Sequence, residues 1–384
     1  MLNRRQLLKV GAASMVVTGL GVGYFAATRR PDNALLPWND DAHAYDDIRL
    51  KALSYAVLAP NPHNRQPWLA DLSIAGEVNL LCDLDKRLPE TDPFDRQITI
   101  GLGCFVGLFE LAANHFGYRV IVDEFPQGES TPRLDGRVIT QLKMVEDKGA
   151  PQSKLFEQIK RRRSNKEPYD TMHNVSEKVI AELIDDMPDG VEISGVVNPA
   201  KLAALRDLTW RAYLVEALTP RTMQESIDLM RIGKAEINAN PDGIDLGGPM
   251  LELLAHVGML DRAQLADQNS TAFQQGLDMY RGLMFSAMGY VWVTTPDNSR
   301  RSQLAAGRAW VMLNLKAAKL GVGVHPLSQA LQEYKEMRQV YSELHEMLAV
   351  DAPKRIQMFG RIGYGPETPP SPRWAVENCL LNKV

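Results

Sequence analysis

The sequence predicts an α+β fold made of two similar halves that share one core. Two strongly amphipathic helices are predicted at residues 98–116 and 302–320, because apolar residues recur in both at helical spacing. Short strands are predicted around these helices, at residues 68–74, 78–82, 120–122, 138–145, 290–294 and 357–363. Short strands and long helices mixed in this way indicate an α+β class.

The two long helices match one another in sequence. Gly103 and Gly117 are separated by the same distance as Gly307 and Gly321. Three further positions agree in that frame: Leu111 with Leu315, Ala113 with Ala317, and Val120 with Val324. Any two buried helices that end at a glycine share some of this pattern. The five shared positions favour a duplicated unit, so we expect an intramolecular pseudo-dimer with halves at residues 47–150 and 151–384.

Other elements flank these helices. Helices are predicted at residues 47–58 and 154–160, and residues 202–267 are predicted to be mostly helical, with breaks at 240–243 and 247–249. Residues 31–46 are polar and contain two prolines and several aspartates, which is typical of a linker. The tail is rich in proline from residue 366 to residue 372.

The first 30 residues differ in composition from the rest of the chain. Arg4 and Arg5 precede an uncharged run at residues 10–28 that is rich in Gly and Ala, and Arg29 and Arg30 close the run. This layout resembles a twin-arginine export signal. We therefore expect residues 1–30 to address the chain, through the twin-arginine export machinery, to the periplasm or to the outer face of the cytoplasmic membrane. A cleaved signal and an uncleaved anchor both remain open, since the run is at the lower edge of what spans a bilayer.

The composition argues against several classes of protein. The chain has 384 residues, of which 45% are hydrophobic and 23% charged, and its formal net charge of −4 indicates no nucleic-acid partner. Its three cysteines are widely spaced and form no CxxC, so neither a disulfide framework nor a metal site is predicted. Rossmann, P-loop, HExxH and GxSxG motifs are absent from the sequence.

The most distinctive stretch runs from Ala59 to Trp68 and reads Ala-Pro-Asn-Pro-His-Asn-Arg-Gln-Pro-Trp. Its prolines fix the backbone, so the loop presents its polar side chains rigidly. Asn and Gln amides carry both a donor and an acceptor, which suits the edge of a heterocycle. A loop that only ends a helix and anchors Trp68 in the core fits the sequence equally well.

A compact basic run covers residues 161–166. In an extended segment Arg162, Ser164 and Lys166 lie on one side, where two cations and a hydroxyl suit a phosphate dianion. A solvated basic turn is the alternative interpretation. Arg373 is a further cation near the end of the chain, although its position alone favours an exposed tail arginine.

A glycine-containing stretch, residues 321–329, follows the second long helix. Small residues allow a backbone to approach a flat ligand closely. His325 lies in this stretch beside Pro326. A single histidine in such a place is more often structural than catalytic, so we assign no catalytic residue.

These segments together resemble the nitroreductase superfamily of FMN enzymes, and in particular its exported, Acg-like branch. Residues 60–68 resemble the family's Pro-Ser-x-x-Asn-x-Gln-Pro-Trp motif, with Asn61 in the place of Ser. Residues 162–166 resemble its Arg-x-Ser-x-Lys/Arg phosphate motif, and residues 321–329 resemble its flavin-edge loop. Residues 357–373 resemble its closing strand, Gly-Tyr turn and terminal Arg, with Ser371 where many members have Lys.

The resemblance implies one FMN site, assembled from both halves of the chain. Its phosphate would be held by Arg162, Ser164, Lys166 and Arg373, with Lys166 near the pyrimidine edge. Its isoalloxazine ring would be flanked by Pro60, Asn61 and Asn64. Its reactive edge would lie by Pro326, Leu327 and Ser328, where the backbone N–H of Ser328 or Gln329 would meet flavin N5.

The implied activity is that of an oxidoreductase, in which FMN passes hydride from a donor to a nitroaromatic, quinone or similar small acceptor. The donor would be NAD(P)H or, for an exported protein, a membrane quinol or redox partner. One alternative is a non-catalytic flavin-binding or sequestering protein whose ring is covered by a segment such as residues 231–259. Another is a scaffold without a ligand. The sequence leaves open whether the protein is a monomer or a further dimer.

Overall fold

A computed structural model describes residues 29–39, 42–185 and 190–381. The predicted export signal lies outside the described residues, except for Arg29 and Arg30. The α-helices are α1 (Asp32–Asn39), α2 (Ile48–Ala56), α3 (Arg96–His115), α4 (Glu177–Ile184), α5 (Pro199–Leu218), α6 (Pro220–Asp228), α7 (Gly233–Ala239), α8 (Pro249–His256), α9 (Arg262–Ala266), α10 (Thr271–Phe285), α11 (Arg300–Leu320) and α12 (Arg338–Met347). The strands are β1 (Trp68–Asp71), β2 (Glu77–Cys82), β3 (Tyr118–Glu124), β4 (Thr140–Glu146), β5 (Glu192–Val196), β6 (Met230–Ile232), β7 (Ile244–Leu246), β8 (Gly289–Thr295), β9 (Gly323–Pro326) and β10 (Arg355–Gly363). The predicted α+β class is confirmed.

Two four-stranded antiparallel sheets contain most of the strands. The first has the order β1-β2-β4-β3, with Trp68 opposite Cys82 and Leu80 opposite Thr140. The second has the order β5-β8-β10-β9, and in it Arg361 lies opposite His325 on one neighbouring strand. The short strands β6 and β7 pair in parallel as a separate small sheet.

The two long helices, α3 and α11, cross in direct backbone contact. A Cβ atom placed on Gly103 would lie 2.2 Å from the carbonyl oxygen of Leu304, and one placed on Gly307 would lie 2.1 Å from that of Ile100. The thiol of Cys104 also donates to the carbonyl oxygen of Gly307 at 3.1 Å. Neither glycine therefore has room for a side chain, and the helices approach as closely as their backbones allow.

One continuous hydrophobic core contains residues of both large sheets and both long helices. Leu80 and Leu142 come from the first sheet, Val291 from the second, and Phe105 and Trp310 from the helices. Within the described part of the chain, α3 is the helix long and apolar enough to cross a membrane, but 78% of its apolar window is buried inside the protein. Helix α3 is therefore part of the hydrophobic core.

Some predicted elements differ from the structure. The helix expected at residues 154–160 is wrong: only a single 3-10 turn, Phe156–Gln158, forms there, before the basic run continues in irregular backbone. The expected linker contains helix α1, in which Ala34, Leu35 and Trp38 are buried. The stretch expected as a loop after α11 contains strand β9, because β10 offers it a free edge. Each difference is set by tertiary packing rather than by local sequence pattern.

A second core lies beneath α5 and contains a buried acid. Glu216 of α5 is 7% exposed, and its carboxylate accepts a hydrogen bond from Nε2 of Gln332. Burial raises the pKa of Glu216 to about 7, although hydrogen bonds from Gln332 and Gln329 oppose the shift. Both glutamines belong to the segment that follows β9, so Glu216 fixes that segment against α5.

The helix crossing generates the first prediction. Gly307→Ala should destabilise the protein by about 2 kcal/mol or more, because its methyl group meets backbone that no rotamer change can move aside. The matched control is Gly282→Ala in α10, where an added Cβ has open space. That control should be neutral or stabilising by up to about 1 kcal/mol, because Ala is the better helix former. The measurement is denaturant unfolding of both variants. If Gly307→Ala unfolds at the same denaturant midpoint as wild type, the close backbone contact at the helix crossing is contradicted.

The buried acid generates the second prediction. Since its folded-state pKa lies above the unfolded value, the proton on Glu216 stabilises the fold at low pH. Its contribution is complete below about pH 4.5 and is lost as pH rises through about 7, with a size on the order of 3 kcal/mol. Glu216→Gln should therefore flatten the fall in unfolding free energy across this interval, whereas exposed Glu346→Gln should leave it unchanged. If the unfolding free energies of wild type and Glu216→Gln depend on pH with the same slope, the pKa of Glu216 is not raised in the folded protein.

Candidate functional site

The first part of the candidate site is the loop between α2 and β1, residues 59–67, which we call the Pro60 loop. Its end is anchored by Trp68, whose ring centroid lies 5.1 Å from that of Phe105 in α3. His63, Asn64 and Gln66 have φ angles of 45°, 51° and 52°. Left-handed backbone at three non-glycine residues of one loop is costly and is typical of functional sites.

Side-chain amides hold the Pro60 loop in this shape. Oδ1 of Asn61 accepts from the backbone N–H of Gln66 at 2.7 Å, and Nδ2 of Asn61 donates to the carbonyl of Ala59 at 3.1 Å. Gln66 is buried and donates to the carbonyl of Pro241 at 2.7 Å. Its Oε1 accepts from the backbone N–H of Trp374 at 2.9 Å. Asn61 and Gln66 therefore shape the loop with their amides.

Arg162 and Arg373 lie together, although they are far apart in sequence. Nη2 of Arg162 donates to the carbonyl of Leu58 at 3.1 Å, and Nη2 of Arg373 donates to that of Ala59 at 3.1 Å. Nη1 of Arg373 donates to Oδ1 of Asn64 at 2.5 Å, while Nδ2 of Asn64 donates to the carbonyl of Pro372 at 3.0 Å. The structure thus joins the two predicted arginines to the Pro60 loop, with Asn64 holding Arg373.

These two guanidinium groups are buried, and no carboxylate among the described residues forms an ion pair with either of them. Each arginine is 3% exposed. Nε and Nη1 of Arg162 and Nε of Arg373 have no hydrogen-bond acceptor within the described chain. Burial lowers the pKa of Arg162 to about 10 and that of Arg373 to about 9, and neighbouring arginines contribute to both shifts. The charge of Asp245 opposes the shift at Arg373.

An anion is what this pair of arginines lacks. A buried cation without a partner is strongly unfavourable, and an acceptor that reaches the unpaired N–H groups would compensate for it. A phosphate presents several acceptor oxygens and matches the planar guanidinium donors. The residues present therefore fit the phosphate of a nucleotide-type cofactor.

Trp38 and Arg163 also lie beside Arg162 and Arg373, and the sequence did not predict either of them as a site residue. The guanidinium carbons of Arg163, Arg373 and Arg162 lie 4.6, 5.5 and 5.9 Å from the centroid of the Trp38 ring. Arg163 reaches the ring beside Arg162, so the expected one-sided alternation along the basic run is incomplete. The sequence signal for Trp38 is its spacing of about one helical turn from Leu35.

The other two predicted phosphate ligands of the basic run, Ser164 and Lys166, are less buried than Arg162. Ser164 is half-buried, and Lys166 is exposed. Burial lowers the pKa of His63 to about 4, with the charge of Lys166 as the next cause, and Lys166 also contributes to the lowered pKa of His325. Lys166 is therefore within electrostatic reach of both the Pro60 loop and β9.

The segment around β9 joins the site through the basic run. The backbone N–H of Asn165 donates to the carbonyl of Val324 at 2.8 Å. Pro326 and Ser328 are half-buried, whereas Leu327 is buried in the second core and donates its backbone N–H to Phe359 at 2.8 Å. The structure thus joins β9 to the basic run through Val324 and places the Leu327 side chain in the second core.

His325 has a structural environment. It is buried, and its Nδ1 accepts from Nε of Arg361 at 3.0 Å. Burial, together with the charges of Arg361 and Lys166, holds the pKa of His325 well below its usual range. The ring is therefore neutral and serves as an acceptor for a buried arginine.

The small parallel sheet and its flanking helices attach to the Pro60 loop from the other side. Asp242 forms ion pairs with Arg65 at 3.2 Å and with Arg231 at 2.9 Å. The backbone N–H of Gly243 donates to the carbonyl of Asn64 at 3.2 Å. Part of the segment at residues 231–259 is thus fixed against the loop that carries the left-handed residues.

The arrangement is suited to binding an anionic ligand. Its donors are guanidinium groups, and its loop backbone is held rigid by amides. No group of three or more His, Cys, Asp or Glu that could hold a metal ion occurs within residues 29–39, 42–185 and 190–381. Cys82, Cys104 and Cys379 are free and buried.

No protein-family model matches the chain, and no curated protein matches it. Several solved structures of nitroreductase-like proteins are similar to part of it. A nitroreductase-like family protein from Bacillus cereus is 12% identical, with a TM-score of 0.31 over 57% of this chain and 89% of that one. A nitroreductase with bound FMN from Bacteroides fragilis is 14% identical, with a TM-score of 0.32 over 57% of this chain and 91% of that one.

A third solved structure is the FMN- and NADPH-dependent nitroreductase NfnB from Sphigopyxis sp. strain HMH. It is 16% identical, with a TM-score of 0.34 over 58% of this chain and 94% of that one. The chain is therefore similar, over somewhat more than half of its length, to structures of nitroreductase-like proteins, several of which were solved with FMN bound.

Proposed function

We propose that this protein is an exported, FMN-binding oxidoreductase of the nitroreductase type. The observation that carries the proposal is the pair of buried arginines, Arg162 and Arg373. They donate to the carbonyls of Leu58 and Ala59, keep unpaired N–H groups and form no ion pair with a described carboxylate. The motif resemblance assigns these same two residues and this same loop to one FMN site. The motifs and the geometry therefore point independently to the same place.

The proposal includes a duplicated architecture, with one site per chain. Support comes from the reciprocal contact of Gly103 and Gly307 at the helix crossing. Gly117 and Gly321, the second pair of the repeat, both adopt left-handed φ angles, 82° and 69°, just beyond the ends of α3 and α11. Each half also carries its own four-stranded antiparallel sheet. We therefore infer halves at residues 47–150 and 151–384 that pack as an intramolecular pseudo-dimer.

In the proposed site each chain segment has a separate task. Arg162 and Arg373 bind the phosphate, Asn64 orients Arg373, and the left-handed backbone of the Pro60 loop borders the ring. Pro326 and Ser328 border the opposite edge, and Lys166 supplies a positive charge near the Pro60 loop and β9. FMN, when bound, supplies the hydride chemistry between a donor and a small acceptor. The protein's own contribution is position and positive potential.

Export and electron supply remain part of the proposal. The twin-arginine pattern of residues 3–9 favours delivery of a folded, loaded protein beyond the cytoplasmic membrane. NAD(P)H is scarce there, so a membrane quinol or redox partner is the proposed physiological donor. The proposed acceptors are nitroaromatics, quinones or similar small molecules.

A non-catalytic flavin-binding protein is the second candidate function. The observation that favours it is the attachment of residues 241–243 to the Pro60 loop, because a fixed segment there would restrict access to the ring. The two candidates differ in whether bound flavin exchanges electrons with small molecules.

Removal of the phosphate donors tests the binding site. Arg162→Ala should weaken FMN binding about 100-fold, because charge-assisted hydrogen bonds are worth about 2–3 kcal/mol. Arg161→Ala is the matched control, since that neighbouring arginine is exposed. Riboflavin, which lacks the phosphate, should bind both variants and wild type alike. FMN titration monitored by flavin fluorescence measures all three proteins, and unchanged FMN affinity in Arg162→Ala would refute the phosphate site.

Reduction of the bound flavin separates the two candidate functions. Under anaerobic conditions, the wild-type protein loaded with FMN should lose its visible flavin absorbance on mixing with NADPH or a reduced quinone. It should regain that absorbance when a nitroaromatic or an oxidised quinone is added. Free FMN at equal concentration is the control for uncatalysed transfer. Flavin that stays oxidised with every donor, or that reacts no faster than free FMN, favours the sequestering protein.

A further inference from the structure

Helix α1 lies directly on the proposed phosphate site and is tied to it at both ends. The backbone N–H of Arg373 donates to the carbonyl of Ala34 at 2.8 Å, and the backbone N–H of Ala34 donates to Oδ1 of Asn238 at 3.1 Å. Nε1 of Trp38 donates to the carbonyl of Ser371 at 2.7 Å. The helix therefore clamps the segment at residues 371–373, which carries one of the two phosphate arginines.

Trp38 is the side chain that α1 places among the cations. It is 5% exposed, and three guanidinium carbons lie within 5.9 Å of its ring centroid. The negative face of an aromatic ring attracts cations, by about 0.5–2 kcal/mol at such distances. The indole thus offsets part of the mutual repulsion of Arg162, Arg163 and Arg373, a repulsion that contributes to the lowered pKa of each buried arginine.

An indole ring attracts arginines without occupying their N–H groups, whereas a carboxylate accepts hydrogen bonds from them. A carboxylate would neutralise the arginines and occupy their N–H groups, so it would compete with an incoming phosphate. An aromatic face holds the cations close together and leaves N–H groups unpaired, as Nε and Nη1 of Arg162 are. The cluster is therefore preorganised for an anion rather than satisfied by the protein.

We propose that Trp38 is a positioning residue for the cofactor phosphate, and that α1 makes the site selective for phosphorylated flavin and slow to release it. The inference rests on the proposed FMN site but names residues outside every motif that led to it. The alternative is that Trp38 is an ordinary core residue, whose loss would loosen the whole site. The two differ in whether the effect requires the phosphate group.

The experiment compares FMN with riboflavin in the full chain. Trp38→Leu keeps an apolar side chain but removes the aromatic face, whereas Trp38→Phe keeps a smaller aromatic face. Leu36→Ala is the matched control, since Leu36 lies on the same helix and is 61% exposed. Dissociation rates of both flavins are measured by the recovery of flavin fluorescence after dilution of the loaded proteins.

Trp38→Leu should release FMN at least about tenfold faster, with riboflavin release changed less than about twofold, as expected for loss of a cation–π contact of this size. Trp38→Phe should lie between Trp38→Leu and wild type, and Leu36→Ala should match wild type. Equal acceleration for both flavins, or none for either, would overturn the role of Trp38. If Trp38→Leu does not fold, the test uses Trp38→Phe alone. A ratio of FMN to riboflavin release rates in Trp38→Phe equal to that of wild type would then overturn the role of Trp38. A wild-type protein that binds FMN no more tightly than riboflavin would instead remove the phosphate site itself.

Discussion

The backbone contact between α3 and α11 is the constraint on which the rest of the structure depends. At Gly103 and Gly307 each helix meets a carbonyl of the other, so their separation is set by main-chain atoms and cannot be tuned by rotamers. Helix α2, which leads into the Pro60 loop, packs on α3, while β8, β9 and β10 pack on α11. The crossing therefore fixes the distance between the Pro60 loop, which follows α2, and the elements that pack on α11. The geometry of the proposed ligand site, which lies between the Pro60 loop and the basic run, depends on this contact.

The buried arginines of this protein differ in how many of their N–H groups are hydrogen-bonded. Arg300 is 5% exposed, and its guanidinium donates to carbonyls of Phe94, Ser130 and Pro132 and to two side-chain oxygens. Arg361 is completely buried and donates to His325, Ser286 and the carbonyl of Glu167. Only part of the donor capacity of Arg162 is used, with two nitrogens left over. Single unpaired Nε atoms also occur at Arg133 and Arg231. Within the described residues, Arg162 combines two unpaired nitrogens with nearly complete burial, which supports the proposed ligand site.

Sequence patterns predicted the elements that are defined by their own periodicity. Helices α3 and α11 and the central strands of both sheets follow from apolar spacing, and the Pro60 loop follows from its prolines. The patterns failed where a distant partner decides the structure. Strand β9 exists because β10 provides an edge, and α1 is helical because its apolar face, with Trp38, meets residues more than 300 positions away. The sequence pointed to Arg162 and Arg373, but only the folded chain shows that both are buried without an ion pair.

Residues near the two ends of the described chain are in contact in the folded protein. The bond between Trp38 and Ser371 joins residues 333 positions apart, and the last described residues return to pair with Ala70 of the first sheet. The nascent chain emerging from the ribosome therefore has its loop and its indole long before it has Arg373. The proposed phosphate site would therefore lack one of its two arginines until synthesis has passed that residue. For the proposed exported FMN protein, loading would be confined to the interval between release from the ribosome and arrival at the membrane. The rate of FMN uptake in that interval would then set the fraction of protein that leaves the cytoplasm with its cofactor bound.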